Sequence, residues 1–301
     1  MARILISGGT GLIGKHLCPE LKNRGYDVTL LSRKNSESNE FRTFRWNPEK
    51  GEIEEGAIES ADYIIHLAGT NLGEKRWTPK QKQIIVDSRV KTANLIFKKL
   101  TEINHPLKAF ISSSAVGYYG SVSAEIELEE ANPPGKDFLA EVCLKWEEAA
   151  DQFQKKGIRT VKIRSGVVLS RTGGVLAQMK VPVRSGIGSP LGTGRQYVPW
   201  IHVDDLCSVY IKAVEDNQMT GAFNAVAPDY KTNAEFMHTL AHVLKKPFWF
   251  PRIPSFMLEL ILGERASLVL EGNWISARKI LHEGFEFKYP DLETALRNLM
   301  L

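Results

Sequence analysis

The sequence predicts an α/β fold with a doubly wound parallel sheet and a second, smaller α+β lobe. Short apolar runs alternate with helical patterns over the first 165 residues, which is typical of right-handed strand-helix-strand crossovers. A glycine-rich turn joins the first apolar run to the first helical pattern. The chain has 301 residues, of which 43% are hydrophobic, and this is enough for a large core.

Period-two and 3.6-residue patterns place the individual elements. Strands are predicted at 3–7, 28–31, 63–69, 109–113 and 160–164, and helices at 12–24, 79–100 and 138–156. Pro19 lies inside the first helix and predicts a local irregularity there, because proline removes one helical hydrogen bond. The polar stretch 34–60 carries no predicted element.

Two domains are expected, because the regular alternation of apolar runs and helical patterns ends near residue 167. Residues 1–167 form the predicted dinucleotide-binding domain, and residues 168–301 form the predicted substrate-binding lobe. A glycine-rich loop region fills 172–199, and helical patterns dominate from 232. We expect the chain to return to the first lobe around 200–228.

Charge and cysteine content exclude several classes of function. The net charge is +4, from 39 basic and 35 acidic residues without a block of like charge, which favours an anionic small molecule over nucleic acid as partner. Three widely spaced cysteines predict neither a disulfide framework nor a zinc site. No long apolar run or leader pattern is present, so we expect a cytoplasmic, soluble protein without a membrane partner. The sequence does not indicate whether it forms a homo-oligomer.

The segment Gly8-Gly-Thr-Gly-Leu-Ile-Gly14 predicts a phosphate-binding turn. It follows the first strand and opens the first helix. Gly8 permits the tight turn, Gly11 lets the backbone approach a pyrophosphate, and Gly14 lets the helix pack closely on the strand. The anion would contact the unpaired N–H groups at the helix start.

The end of the second strand predicts which dinucleotide binds. NAD-binding sheets carry an acidic residue there for the ribose hydroxyls, whereas this chain has Ser32-Arg33-Lys34. A hydroxyl and two cations match the 2′-phosphate of NADP(H). A pair of solvated surface charges is the alternative.

Five motifs in order resemble the extended short-chain dehydrogenases/reductases, which are Rossmann-type proteins, and more narrowly their "epimerase family" branch. The motifs are the glycine turn, His66-Leu-Ala-Gly69, Ser112-Ser-Ser-Ala-Val-Gly-Tyr-Tyr-Gly120, Ile163-Arg164, and Pro199-Trp-Ile-His-Val-Asp-Asp205. Arg76-Trp77, Asp87-Ser-Arg89, Lys145-Trp-Glu147 and a C-terminal helical segment match that branch. The resemblance covers essentially the whole chain. It implies a cofactor site that comprises Gly8, Thr10, Gly11, Leu12, Ile13, Gly14, Ser32, Arg33, Leu67, Ala68, Gly69, Arg89, Ser112, Ser113, Ser165, Gly166 and Val167.

The resemblance also implies a Tyr-x-x-x-Lys pair, which this sequence lacks. In the family the tyrosine transfers a proton, and the lysine holds the ribose and lowers the tyrosine pKa. Aligning Trp146-Glu147 puts Leu139 at the tyrosine position and Cys143 at the lysine position. Neither side chain can perform that acid/base role.

Two polar groups near the nicotinamide remain as candidate catalytic residues. The resemblance gives Ser114 the role of the serine that hydrogen-bonds a substrate oxygen. Tyr118 and its neighbour Tyr119 are the nearby phenols, with packing at the edge of the site as the alternative to an acid role.

Weaker signals have ordinary explanations. His66 on a buried strand is expected to be a core histidine. His202 and Asp204 lack an evident third ligand, so no metal is predicted. A hydrolase triad from Ser114, His202 and Asp205 is disfavoured because no G-x-S-x-G turn is present. Cations near the second lobe are either substrate ligands or solvated surface charges: Arg164, Arg184 and Arg195.

Two hypotheses for function follow. The first is an NADP(H)-dependent oxidoreductase or sugar-nucleotide epimerase that acts on an anionic small molecule. The second is an NADP(H)-binding sensor or assembly protein with little or no turnover. The missing Tyr-x-x-x-Lys pair favours the second, whereas the serine cluster and the cations favour the first.

Overall fold

The computed structural model describes residues 1–33, 40–121, 126–249 and 251–300. The strands are β1 (Arg3–Ser7), β2 (Asp27–Ser32), β3 (Arg42–Asn47), β4 (Glu52–Ile53), β5 (Tyr63–His66), β6 (Ala109–Ala115), β7 (Glu127–Leu128), β8 (Arg159–Ser165), β9 (Val167–Leu169), β10 (Trp200–His202), β11 (Gly221–Ala225) and β12 (Trp274–Ile275). The helices are α1 (Leu12–Asn23), α2 (Pro79–Ile103), α3 (Phe138–Lys155), α4 (Gly174–Arg184), α5 (Val203–Glu215), α6 (Asn233–Val243), α7 (Ser255–Leu262), α8 (Ser267–Leu270), α9 (Arg278–His282) and α10 (Leu292–Met300). Short 3₁₀ turns lie at Val116–Tyr119 and Gly263–Ala266.

Within these residues one sheet has eight strands, in the order β11-β8-β6-β5-β1-β2-β3-β4. All neighbouring pairs are parallel except β3 and β4, which are antiparallel. The chain runs from β1 outward to β4 on one side and from β5 outward to β11 on the other. The order therefore reverses between β1 and β5, where doubly wound sheets bind ligands. The predicted doubly wound, Rossmann-type sheet is confirmed.

The strand alternation divides the core between two helical layers. Ile4 and Ile6 pack with residues of α1 and α5, whereas Leu5 packs on the other face with residues of α2 and α3. On that second face, the rings of Phe110 and Phe153 stack with centroids 3.7 Å apart. This period-two burial is the pattern expected for strands that are covered on both faces.

The stretch 34–60, for which no element was predicted, contains β3 and β4. In β3 only Phe44 and Trp46 are buried, and the other four residues are polar and more exposed. Such alternation is typical of a strand near a sheet edge. The strand was not predicted because the charged residues around it made the stretch resemble a loop. α1 runs through Pro19 as one continuous helix.

The chain leaves the sheet after β8 and later comes back to it. β11 pairs with β8 from Gly221↔Val161 to Ala225↔Ser165, and α5 packs on α1. A separate core joins α4, α6 and α10, around Leu176, Phe236 and Leu296. The 3₁₀ turn at 263–266 reaches the first lobe, where Arg265 donates to the carbonyl of Gly73 at 2.6 Å.

Candidate functional site

The turn between β1 and α1 requires glycine for both conformation and space. Gly8 has φ +75°, and a Cβ there would lie 2.8 Å from the backbone of Leu67 and Ala68. A Cβ on Gly14 would lie 2.4 Å from the backbone of Gly9. The turn therefore packs against the residues that follow β5, and α1 starts close to the backbone of the turn at Gly9.

The start of α1 is open to an anion. Gly11 is the N-cap residue and offers no side-chain cap, and the first turn contains no acidic residue. A Cβ on Gly11 would meet only the carbonyl oxygen of Gly8, at 3.2 Å. Thr10 is exposed beside it, while Leu12 and Ile13 are half-buried. The N–H groups of this turn can therefore bind a phosphate oxygen without moving a side chain.

The end of β2 lies next to the glycine turn and carries a cation. Ser32 is the last residue of β2 and is half-buried, and Arg33 is exposed. Lys34, the second predicted cation, lies outside the described residues. Because β2 pairs with β1, Arg33 lies one strand away from the pyrophosphate position.

His66 ends β5 and is fully buried. Its Nδ1 atom lies 2.7 Å from the Ser7 hydroxyl, and its Nε2 atom lies 3.2 Å from the Thr92 hydroxyl. Burial lowers the pKa of His66 to about 4, so the ring is neutral at pH 7. His66 therefore connects β1, β5 and α2 as a core histidine.

Acidification should destabilise the protein through His66. In the unfolded chain the imidazole binds a proton near pH 6.5, whereas in the folded chain it does so only near pH 4. The stabilisation is complete above pH 6.5 and is lost as the pH falls toward 4, by roughly 3 kcal/mol. Urea unfolding at several pH values measures this loss. His66→Gln should reduce the pH dependence and exposed His282→Gln should not; equal pH dependence in both variants would contradict the assignment.

The loop after β5 lies over a buried arginine. Leu67 and Ala68 are half-buried, and Gly69 is exposed. Arg89, on α2, donates to the carbonyl oxygens of Ile85 and Thr70 at 3.0 and 3.1 Å. Arg89 therefore fixes this loop to α2.

The serines at the end of β6 point in opposite directions. The Ser113 hydroxyl lies 2.5 Å from the phenol of Tyr210 on α5. Ser112 is fully buried, and its hydroxyl donates to the carbonyl of Ser113. Both hydroxyls are engaged inside the protein. The Ser112 proton is therefore not available to a ligand, although lone pairs of both hydroxyl oxygens remain.

Ser114 belongs to a buried polar network with α3 and β8. Its hydroxyl donates to Oε1 of Glu147 at 2.7 Å. Arg164, on β8, binds both carboxylate oxygens of Glu147, at 2.7 and 2.9 Å. Burial opposes the charge of Arg164, but the hydrogen bonds and the charge of Glu147 outweigh it and raise the Arg164 pKa above its usual range. Arg164 was predicted as a possible substrate ligand, but in the structure its guanidinium is paired with the Glu147 carboxylate.

This network affects the role predicted for Ser114. A hydroxyl has one proton, and Ser114 gives it to Glu147. Only the lone pairs of Ser114 remain for a ligand, so it can accept from an N–H or O–H group. With this arrangement, the predicted hydrogen bond between Ser114 and a substrate oxygen requires an oxygen that carries its own proton. The presence of Ser114 in the site stays a prediction.

Removing the Glu147 charge should destabilise the fold strongly. Glu147→Gln leaves the Arg164 guanidinium, which is 3% exposed, without its carboxylate. Breaking a buried pair on one side costs roughly 3–5 kcal/mol. The same change at exposed Glu148 should cost less than about 0.5 kcal/mol. Urea unfolding measures both; similar unfolding free energies would show that the buried pair adds no stability.

Leu139 and Cys143 lie one turn apart on α3 and face the 3₁₀ turn after β6. A Cβ on Gly117 would lie 3.5 Å from Leu139 Cβ and 3.6 Å from Cys143 Sγ. Burial raises the pKa of the Cys143 thiol to about 12. A hydrocarbon and a protonated thiol therefore occupy the place where the resemblance puts the tyrosine and the lysine. Neither exchanges protons at neutral pH.

Tyr118 and Tyr119 differ in their surroundings. Tyr119 is buried, and its hydroxyl donates to Asn224 at 2.7 Å and accepts from Arg164 at 3.0 Å. Tyr118 is half-buried, with the Arg164 guanidinium 3.5 Å from its ring centroid. Its hydroxyl makes no hydrogen bond to the described residues. Tyr118 is therefore the more available phenol, and its catalytic role stays a prediction.

The chain after β8 closes the site on the side of the second lobe. Ser165 donates to the carbonyl of Ser114 at 3.2 Å, and the N–H of Val167 donates to the carbonyl of Pro199 at 2.7 Å. A Cβ on Gly166 would lie 2.4 Å from that same carbonyl oxygen. These three half-buried residues lie at the carboxyl end of the sheet, as do the glycine turn and β6.

The remaining candidate residues either lie away from this edge of the sheet or already have hydrogen-bond partners in the protein. Asp205 accepts from the N–H groups of Lys288 and Tyr289, at 2.8 and 3.0 Å. His202 accepts from the N–H of Asp204. Both therefore have structural roles at the start of α5. Among the described residues no three His, Cys, Asp or Glu side chains form a metal-binding group.

Sequence reasoning missed the partners of the β6 serines and of Tyr119. Glu147, the partner of Ser114, was recognised only within a motif, and Tyr210, the partner of Ser113, and Asn224, the partner of Tyr119, were not singled out. A charged residue on the apolar face of α3 was the available signal, since charges are seldom buried without a partner. No spacing rule indicates that its partner is Arg164, because β8 meets α3 only in the folded chain.

The fold and the glycine turn define a dinucleotide-binding protein of the doubly wound α/β class. The NAD dependent epimerase/dehydratase family matches residues 4–225, and a domain of unknown function, DUF1731, matches residues 253–299. The chain belongs to the NAD dependent epimerase/dehydratase family, whose members are extended short-chain dehydrogenases/reductases.

Relatives match over the full length. The mouse epimerase family protein SDR39U1 is 37% identical over an alignment of 302 positions, which covers 99% of this chain and 99% of that protein. A Staphylococcus aureus epimerase family protein is 35% identical, over 100% of this chain and 99% of that protein. The crystal structure of human SDR39U1 with NADPH has a TM-score of 0.89 and 36% identity, and covers 99% of this chain and 98% of that one.

More distant enzymes share only the fold. The UDP-N-acetylglucosamine 4-epimerase of Bacillus cereus has a TM-score of 0.78 and 17% identity, over 99% of this chain and 98% of that one. Within residues 1–33, 40–121, 126–249 and 251–300, no helix is both long and apolar enough to cross a membrane.

Proposed function

We propose that this chain binds NADPH along the carboxyl edge of its parallel sheet. The observation that carries this proposal is the uncapped start of α1 beside Arg33, with no carboxylate at the end of β2. The helix start suits a pyrophosphate, and the cation suits a 2′-phosphate. The human relative solved with NADPH supports the same cofactor here.

The predicted residues would hold NADPH in different ways. Gly11 to Ile13 would contact the pyrophosphate through backbone N–H groups, and Ser32 and Arg33 would bind the 2′-phosphate. Leu67 to Gly69 would line the middle of the cofactor. Ser112 and Ser113 would lie beside the cofactor at the end of β6, with both hydroxyls already hydrogen-bonded inside the protein. Ser165 to Val167 would lie at the nicotinamide end.

Arg33→Ala tests the choice of cofactor. Loss of a charge-assisted contact to the 2′-phosphate should weaken NADPH binding by roughly 1.5–3 kcal/mol and leave NADH binding unchanged. Titration calorimetry with both cofactors measures the difference, with Arg24→Ala, also exposed, as the control. Equal affinities of the unaltered chain for NADPH and NADH would contradict the assignment.

The reaction that the site supports best is hydride transfer to an anionic small molecule. Bound NADPH would supply a hydride, and the proton would come from Tyr118 or from solvent, because Leu139 and Cys143 provide none. Epimerisation is less well supported, since a group must take a proton from a sugar hydroxyl and return it. Arg184 and Arg195 are exposed on the second lobe and can attract an anion.

A second candidate is an NADPH-binding sensor or assembly protein. The hydrogen bond that Ser114 donates to Glu147 favours this second candidate, because the serine proton is then not available to a substrate. Leu139 and Cys143 on α3 favour it as well, because neither of them donates a proton. Measuring NADPH consumption in the presence of small carbonyl compounds distinguishes the reductase from the sensor or assembly protein. Measurable turnover supports the reductase, whereas tight binding without turnover supports the sensor.

A further inference from the structure

Helix α7 presents an apolar face to solvent. Four large apolar side chains lie on one side of it at helical spacing, with exposed fractions between 44% and 79%: Phe256, Met257, Leu260 and Ile261. We call these four residues the α7 face. Leu258 lies on the opposite side and is the buried residue of the helix. Scattered apolar side chains are ordinary on a protein surface, whereas a contiguous group of this kind indicates a binding partner.

The chain before α7 and the loop after α4 pack against each other at the start of α7. Leu191 pairs with Ile253 as an isolated bridge, and a Cβ on Gly192 would lie 3.1 Å from Ser255 Oγ. Each of these two segments adds one exposed apolar side chain: Ile187 and Trp249. The exposed apolar surface therefore extends beyond α7 itself.

The same segments carry an excess of cations. Residues 174–196 and 241–262 contain six basic residues and one acidic residue, Glu259, although the whole chain has a net charge of only +4. Lys245, Lys246 and Arg252 precede α7 and are exposed, and none of them forms an ion pair with a described carboxylate. The net positive charge of the chain is therefore concentrated around the α7 face.

This charge favours one kind of occupant. A second copy of the chain would bring the same cations to a symmetric contact, and their repulsion would oppose it. In a bilayer surface, by contrast, protruding apolar side chains enter the acyl region while flanking lysine and arginine side chains stay with the lipid phosphates. Tryptophan is enriched at the same boundary, which matches the position of Trp249.

We propose that the α7 face binds the surface of a membrane that contains anionic phospholipids, with α7 lying in the plane of the interface. Phe256 and Leu260 would enter the acyl region, and the cations before the helix would contact the lipid phosphates. The contact is peripheral. The expectation of no membrane partner came from the absence of a long apolar run, which a peripheral contact does not require.

Co-sedimentation of the full chain with phospholipid vesicles tests this contact. Vesicles of phosphatidylglycerol and phosphatidylcholine should bind the unaltered chain at least about tenfold more tightly than vesicles of phosphatidylcholine alone, and added NaCl should weaken the binding. Leu260→Asn should weaken binding at least about tenfold, because the transfer of a leucine side chain out of water is lost. Leu281→Asn, at an apolar residue of α9 that is 40% exposed, is the matched control and should leave binding unchanged.

A pair of lysine variants tests the contribution of the cations. Lys245→Ala combined with Lys246→Ala should weaken binding to the anionic vesicles roughly 20-fold, and binding to the neutral vesicles less than about twofold. Lys155→Ala combined with Lys156→Ala removes another exposed, adjacent pair and should have no effect on either. The unfolding temperature and the NADPH affinity should stay the same in Leu260→Asn, because Leu260 lies outside both the core and the predicted cofactor site.

Three kinds of result would overturn this assignment. Equal binding to both kinds of vesicle, or full binding by Leu260→Asn, would show that the α7 face does not meet an anionic bilayer. A dimer in solution that Leu260→Asn dissociates would assign the face to a second copy of the chain. Absence of binding to the anionic vesicles would exclude the membrane and leave an acidic protein surface as the occupant.

Discussion

Gly11→Val should abolish NADPH binding while the protein stays folded. Gly11 has an extended conformation that valine can adopt, with φ −76° and ψ −178°, and a Cβ would meet only the Gly8 carbonyl oxygen. The branched side chain would instead occupy the space where the pyrophosphate approaches the start of α1. We expect affinity to fall more than about 100-fold, because the backbone contacts to both phosphates are lost.

Calorimetry and thermal unfolding together check this prediction. The unfolding temperature without cofactor should be close to that of the unaltered chain. Lys15→Val, which changes an exposed residue of the same helix, should retain binding. Undiminished binding in Gly11→Val would show that the phosphates are held elsewhere.

Leu139→Tyr should create a reductase with a proton donor. The new phenol would face the 3₁₀ turn after β6, where Leu139 now packs near Gly117. A positioned general acid contributes about 10²- to 10⁴-fold to a rate, so NADPH-dependent reduction of a carbonyl compound should rise by at least about 10²-fold.

Leu139→Phe is the matched control, because it adds the same ring without the hydroxyl. The rates of NADPH oxidation with small aldehydes and with a 4-ketosugar nucleotide should rise in Leu139→Tyr only. Equal rates in the two variants would show that position 139 does not face the reacting carbonyl. A fast rate in the unaltered chain that is lost in Tyr118→Phe would instead identify Tyr118 as the acid.

Most of the sheet was predictable because its strands are covered on both faces. Short apolar runs such as those at 4–6 and 109–111 are typical of strands that are buried on both faces, and a glycine ends the helical pattern before 28. β3 escaped prediction because two buried rings, Phe44 and Trp46, alternate with charged or polar residues that face outward. Near a sheet edge, the tertiary environment decides between strand and loop.

The cofactor end of the site was more predictable than its reaction. A phosphate-binding turn needs glycines at fixed spacing, and this constraint is local in sequence. The environment of Ser114 depends on Glu147 and Arg164, which come from α3 and β8 and meet only after folding. Because the Ser114 hydroxyl donates its proton to Glu147, the interpretation of this serine changed, although its position after the apolar part of the strand had been predicted.

The central claim is that NADPH binds along the carboxyl edge of the sheet and that no proton donor on α3 faces its nicotinamide. A crystal structure of the NADPH complex tests this most directly. The account predicts the 2′-phosphate at Arg33, the pyrophosphate at the start of α1, and only Leu139 and Cys143 where α3 faces the ring. A nicotinamide away from the end of β6, or a 2′-phosphate that does not contact Arg33, would contradict it.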